Sequence, residues 1–241
     1  MPDFAAWQWL LGALCAFMIG VAKTGVPGVL TLIIPITVLL IGDARLAAAW
    51  NVPLLSTADL FAVVYWRRSH AAKRLFSLLP WVAIGMALGA ASLRMPELLL
   101  RRLVGGTVIL MLAIHVLRKW RPNSRIHGNP PLFGISGGFA TVVANAAGPV
   151  MNLYLMSKNL PKEEFVATGA WFFFVVNLSK FPIYYSVGLF SKASILYDLC
   201  LVPVVVIGSM TGRWILRHMR QDVFDATVAV LTVLSAILLF R

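Results

Sequence analysis

Apolar residues fill this chain in long runs, and polar residues gather in short clusters between them. The runs cover about residues 5–22, 27–42, 44–66, 75–93 and 97–118, then 131–146, 149–158, 164–187, 193–213 and 222–240. Most approach the ~20 residues a helix needs to cross the hydrocarbon core of a bilayer. Lipid offers backbone groups no water to bond, so every run is expected to be helical. Two boundaries do not read as loops. One is Lys23-Thr24-Gly25-Val26-Pro27-Gly28, the other Asn145-Ala146-Ala147-Gly148-Pro149. Proline removes a backbone donor and glycine relaxes the helix, so each predicts a break or tight turn. The run after the second break is too short to span, which predicts a re-entrant hairpin.

The pattern then repeats. Trp50 follows the small residues Ala47, Ala48 and Ala49, and an ionisable residue, Asp59, comes nine places later. Trp171 follows Thr168, Gly169 and Ala170, and Lys180 again comes nine places later. Gly85 and Gly89 lead to Arg94 at the spacings by which Gly208 and Gly212 lead to Arg217. The period is about 120 residues, half the chain, as in an internal duplication. The first repeat, 1–118, then holds a hairpin over 5–42 and spans at 44–66, 75–93 and 97–118. Residues 119–130 form a polar cytoplasmic linker. The second repeat, 131–241, holds a hairpin over 131–158 and spans at 164–187, 193–213 and 222–240. A hairpin that turns back crosses an even number of times or not at all. Three further spans make the total odd, so the second copy enters the membrane upside down. The expected fold is an all-α polytopic membrane protein of two inverted repeats, each a broken, re-entrant helical hairpin followed by three transmembrane helices.

Composition agrees with lipid as the solvent. Hydrophobic residues make up 60% of the chain and charged residues 12%, against about 25% charged in a soluble domain. A net charge of +12 would point to nucleic acid in a soluble protein. Here the basic residues fall in short connections, and no nucleic-acid partner is expected. The main groups are Arg67, Arg68, Lys73 and Arg74; Arg118, Lys119, Arg121 and Arg125; Lys158 and Lys162; and Arg213, Arg217 and Arg220. Inversion places all four groups on one side, and the positive-inside rule makes that side the cytoplasm, with both termini opposite. Arg94, Arg101 and Arg102 run against this asymmetry. The N-terminus lacks a basic region ahead of its first apolar run, so that run is expected to be retained. Cys15 and Cys200 lie within apolar runs and read as buried small hydrophobes. The histidines His70, His115, His127 and His218 show no metal-ligand spacing, and no GxxxxGK[ST] is present. Neither a metal nor another cofactor is expected.

The candidate chemistry lies at the breaks and at the ionisable residues inside the runs. Lys23 and Thr24 stand beside Gly25 and Gly28, where a helix restarts. A cation, a hydroxyl and free amides at a helix N-terminus suit a small anion. A surface break with Lys23 reaching lipid phosphate is the plainer alternative. The second break adds Asn145 and the amides near Gly148, with a plain kink and Asn145 bonded to a neighbouring backbone group as the plainer alternative. If the hairpins enter from opposite faces, their tips meet and enclose one cavity. Asn51, Ser56 and Asp59 share one arc of about 140° on their helix, and Asn177 neighbours Lys180 on the equivalent one. Thr168 points toward the same polar side. Ionisable residues inside membrane segments are functional candidates. Asp59 is a candidate proton carrier, and Lys180 an anion contact or its partner, with a structural ion pair as the plainer reading. Gly85/Gly89 and Gly208/Gly212 are expected to permit close helix packing. Trp50 and Trp171 are either interface anchors or cavity walls.

The run from Gly20 through Lys23-Thr24-Gly25-Val26-Pro27-Gly28 to Pro35 resembles the first repeat of the sulfite exporter family TauE/SafE. Gly138-Phe139-Ala140 through Asn145-Ala146-Ala147-Gly148-Pro149, then Thr168 and Trp171, is similar to its second repeat. The resemblance implies a multi-pass protein of a bacterial-type plasma membrane that moves sulfite or a related sulfur-containing or organic anion. Many members carry more glycines at the first break than Lys23-Thr24 leaves here. The function read from the chain is secondary transport of a small anion by alternating access, with proton coupling as an option. The substrate-binding candidates are Lys23, Thr24, Gly25, Gly28, Asn51, Asn145, Gly148, Thr168, Asn177 and Lys180. The partners are that anion, sulfite or organosulfonate-like, and the lipid bilayer, with further copies of the chain as an option. An anion channel or a membrane assembly factor is the alternative. An enzyme would need a nucleophile with a base, or a metal cluster, at membrane depth. No such set is spaced for it.

Overall fold

A computed structural model describes residues 4–66, 77–93, 95–96, 99, 102–103, 106 and 129–240. The expected span at 97–118, most of the 119–130 linker and the basic cluster at 67–74 lie largely or wholly outside these residues. The described residues form nine helices and no strand. They are α1 (Ala6–Thr24), α2 (Leu30–Ile41), α3 (Ala44–Tyr65), α4 (Leu79–Ser92), α5 (Pro130–Ala144), α6 (Ala147–Met156), α7 (Lys162–Ser186), α8 (Lys192–His218) and α9 (Gln221–Phe240). Four of them, α1, α3, α7 and α8, are long and apolar enough to cross a membrane.

Local chemistry sets the ends. Gly42 at φ 83° closes α2, and the Asp43 carboxylate then accepts from the amides of Arg45 and Leu46 to open α3. Ser191 and Ser194 cap α8 reciprocally. Glu163 and Glu164 lie in the first turn of α7, where the helix dipole favours acids. The Lys162 ammonium donates to the carbonyls of Leu216 and Met219, which closes the far end of α8. That helix runs past the expected limit at 213 to His218. Basic residues do not stop a helix whose long side chains can reach sideways. Arg213 lies 3.7 Å over the ring of Tyr65, and Arg217 Nη2 donates to the Tyr65 hydroxyl at 2.6 Å.

Glycine governs the tightest packing. α1 lies along α8, and a Cβ on Gly20, Gly25, Gly208 or Gly212 would strike backbone of the facing helix. α4 lies along α5 in the same manner through Gly85 and Gly138. Both pairs run parallel, since Gly12 faces Tyr197 and Gly25 faces Gly212, while Gly134 faces Leu78 and Phe139 faces Gly89. Small residues let backbones approach where lipid gives no hydrophobic drive for association. Each pair joins a helix of one half of the chain to a helix of the other. Between the pairs, α3 and α7 run antiparallel. Asp59 meets Asn177, and Ala62 and Val63, further along α3, meet Ala170, earlier in α7.

Buried residues fall into a large cluster around α5, α6 and α7 and a second one around α1, α3 and α8. Trp50 joins Phe4, Trp9 and Tyr197 in an aromatic group of the second cluster, and Trp171 packs beside Trp66 and Phe174. Leu10, Leu14, Leu199, Ile207 and Trp214 are exposed, an apolar surface that fits a lipid solvent. Cys15 is buried as expected. Cys200 is not: it is exposed, because it lies on the same outward face of α8 as Leu196 and Leu199.

Candidate functional site

The site begins with two interruptions that the sequence forces. After α1 the chain turns through Gly25 to Val29, and Gly28 takes φ 104°, a conformation that suits glycine. After α5 it turns at Asn145, whose φ of 53° is left-handed. Asparagine tolerates that region better than most residues. Helix α6 restarts at Ala147, so Gly148 and Pro149 fall in its first turn, where a proline lacks no bond it would have made. Residues of both interruptions line one small cavity: Lys23, Pro27 and Gly28 from the first, Asn145, Gly148 and Pro149 from the second. Asn152 and Phe173 are among the other residues of its wall. Its volume is about 40 Å³. A water takes up roughly 10–15 Å³ on this measure, so the space suits a ligand of a few heavy atoms.

Behind the cavity runs a buried chain of polar groups. Lys23 Nζ lies 2.8 Å from Asp59 Oδ1, and its ammonium also sits 4.0 Å over the Phe173 ring. Asn177 Nδ2 donates to Asp59 Oδ2 at 2.6 Å. Lys180 Nζ donates to Asn177 Oδ1 at 2.9 Å and to Asn145 Oδ1 at 2.5 Å. Asn145 Nδ2 donates in turn to the Ala48 carbonyl at 2.8 Å. Lys23, Asp59 and Lys180 are 7%, 0% and 1% exposed. Each amide presents its NH₂ to an oxygen and its oxygen to an ammonium, the one orientation that satisfies both ends. The chain ties α1, α3 and α7 to the break between α5 and α6. It contains two lysine amino groups and one carboxylate.

Asn145 also borders a second chamber of about 40 Å³, lined by Thr37, Ala47, Ala48 and Asn51. Asn51 Nδ2 donates there to Thr37 Oγ1 at 3.0 Å. The two chambers share Asn145 and Ile34.

The sequence candidates therefore divide by position. Lys23, Gly28, Asn145 and Gly148 line the first cavity, and Asn51 lines the second. Asp59, Asn177 and Lys180 form the supporting chain. Three candidates face elsewhere. The Thr24 hydroxyl donates to the carbonyls of Gly20 and Ser209, toward α8. Gly25 packs on Gly212. The Thr168 hydroxyl donates to Glu164 within its own helix. Sequence reading passed over Phe173, Asn152 and Thr37. Thr37 and Asn152 are polar positions inside apolar runs and could have been flagged on that ground. Phe173 sits between Phe172 and Phe174, and nothing distinguishes it.

Replacing Asn145 separates its two contributions. Asn145→Gly keeps the left-handed turn but leaves Lys180 short of an acceptor, a loss of about 1–3 kcal/mol. Asn145→Ala adds the cost of a left-handed Cβ, about 1–2 kcal/mol. Thermal unfolding in detergent should rank wild type above Asn145→Gly above Asn145→Ala. Equal stability of wild type and Asn145→Gly would show that these hydrogen bonds do not hold the break.

A family model described as sulfite exporter TauE/SafE matches residues 11–239 of this chain. No curated protein and no solved structure matches it.

Proposed function

We propose that this chain, which belongs to the sulfite exporter TauE/SafE family, is a multi-pass carrier that moves a small anion by alternating access. Sulfite or an organosulfonate-like anion is the substrate class. One observation carries the reading: two helix breaks about 120 residues apart in sequence line a single cavity that holds a buried lysine. The first turns of α2 and α6 reach the cavity through Leu30 and Pro149. Helix N-termini offer free amides and partial positive charge to an anion. The antiparallel course of α3 and α7, which hold equivalent positions in the two halves, supports an inverted repeat. A space of a few heavy atoms fits a small anion. The cytoplasmic side is that of the Lys158, Lys162, Arg217 and Arg220 cluster, and the membrane is a bacterial-type plasma membrane.

Counterflow tests the reading. Proteoliposomes loaded with unlabelled sulfite should accumulate labelled sulfite transiently above the external level, because a carrier exchanges one for the other. Simple equilibration would mean a channel, and no flux with any small oxyanion would end the proposal. At the site, Lys23→Gln should weaken sulfite binding roughly 10- to 100-fold, as loss of a charged hydrogen bond of about 1.5–3 kcal/mol implies. Unchanged binding by titration calorimetry would remove Lys23 from the site.

A further inference from the structure

The buried chain is not balanced in charge. Lys23 has a carboxylate in contact, Asp59 at 2.8 Å. Lys180, 1% exposed, has among the described residues only the amide oxygens of Asn145 and Asn177 in contact. The charged groups that act on it are Lys23 from α1 and Asp59 from α3. From the α5–α6 break it meets the neutral Asn145. One turn along α7, the Tyr184 hydroxyl is occupied with the Val142 carbonyl at 2.7 Å. A buried ammonium without a counter-charge is costly, and lysine, unlike arginine, can answer by giving up its proton. An anion in the first cavity would lie against Asn145, the residue that also holds Lys180, and would supply the missing negative charge.

We infer that Lys180 is the proton-carrying group of this site: it takes up a proton as an anion enters the cavity beside Asn145 and gives it up as the anion leaves, so that anion and proton cross together. The inference rests on the carrier reading above. On binding, the –NH₂ of Lys180 accepts a proton from water on the open side and becomes –NH₃⁺. On release, that proton passes to water on the opposite side. No bond to the anion forms. The role moves from Asp59, the carboxyl the sequence favours, to the lysine at the equivalent position of the other half.

Two measurements test this with sulfite as the probe. In proteoliposomes containing a trapped pH dye, buffered well above the bisulfite–sulfite pKa so that the anion brings no proton of its own, sulfite entry should acidify the lumen in step with labelled sulfite. A Lys180→Arg variant, permanently charged, should carry fewer protons per sulfite than wild type, and Lys180→Gln should do the same. Sulfite flux in wild type without proton flux, or an unchanged proton-to-sulfite ratio in a folded variant, overturns the inference and leaves the carrier intact. Absence of all sulfite flux in wild type sinks the carrier reading instead. The second measurement needs no variant. Infrared difference spectra of the wild-type protein on sulfite addition should lack a new carboxylic-acid carbonyl band. Appearance of that band would assign the proton to a carboxyl such as Asp59 and overturn the proposal.

Discussion

Asp59→Ala is expected to destabilise the protein by about 3–5 kcal/mol, the usual effect of removing one member of a buried ion pair. The Asp59 carboxylate is fully buried, with one oxygen against Lys23 and the other against Asn177. Without it, Lys23 keeps, among the described residues, the Phe173 ring, and Lys180 loses the carboxylate whose charge acts on it. The remaining network then holds two lysines and no carboxylate. Removing both members of the pair gives a different outcome. Lys23→Met with Asp59→Leu replaces the charges by apolar groups of similar length, and such exchanges are often neutral or stabilising. Thermal unfolding in detergent should therefore place the double variant well above Asp59→Ala. The double variant should still fail to bind sulfite, because the cavity-lining residue 23 has lost its charge. If it unfolds as readily as Asp59→Ala, the ion pair is not the source of the effect. If it binds sulfite as wild type does, the cavity is not the site.

Gly208→Leu is expected to prevent assembly of the native bundle. A Cβ at this position meets the carbonyl oxygen, carbonyl carbon and Cα of Phe17, all backbone. A side chain can rotate away from a clash, but helix backbone can yield only by separating α1 from α8. Overpacking in a core typically costs about 1–3 kcal/mol. Here separation also removes the bond from Thr24 to the Ser209 carbonyl, so the loss should reach or exceed the top of that range. Size-exclusion chromatography in mild detergent should show aggregate in place of a single peak. Gly106→Ala is the control, since no described residue lies within 4 Å of a Cβ there. A monodisperse, thermally stable Gly208→Leu protein would show that the close approach of α1 and α8 is dispensable.

Much of the fold was legible because lipid enforces simple rules. Apolar run lengths placed most helix limits within a few residues, and proline with glycine placed both breaks. Charged residues inside apolar runs marked Lys23, Asp59 and Lys180, since such residues are rare without a purpose. Pairing was harder to read. The repeat sets Asp59 opposite Lys180 by order, yet the carboxylate contacts Lys23, from the same half of the chain. Which side chain faces which depends on helix rotation and on packing across halves, and sequence spacing encodes neither. Thr24 shows the scale of the difficulty. One residue after Lys23 is a turn of 100°, enough to send the hydroxyl to α8 and away from the cavity. Glycine hides a similar ambiguity, for Gly28 borders the cavity while Gly25 is a packing surface. Asp198 carries the same signal, an acid inside an apolar run: it is buried on α8, and its oxygens have no hydrogen-bond partner among the described residues.

The seam between α1 and α8 also sets the order in which the protein can mature. Thr24 and Ser209, joined across it, are 185 residues apart. A ribosome therefore threads nearly the whole polypeptide into the bilayer before the earliest helix meets its mate. Until then the bare glycine stripe of α1 faces acyl chains, and quality-control proteases have a long window in which to find it.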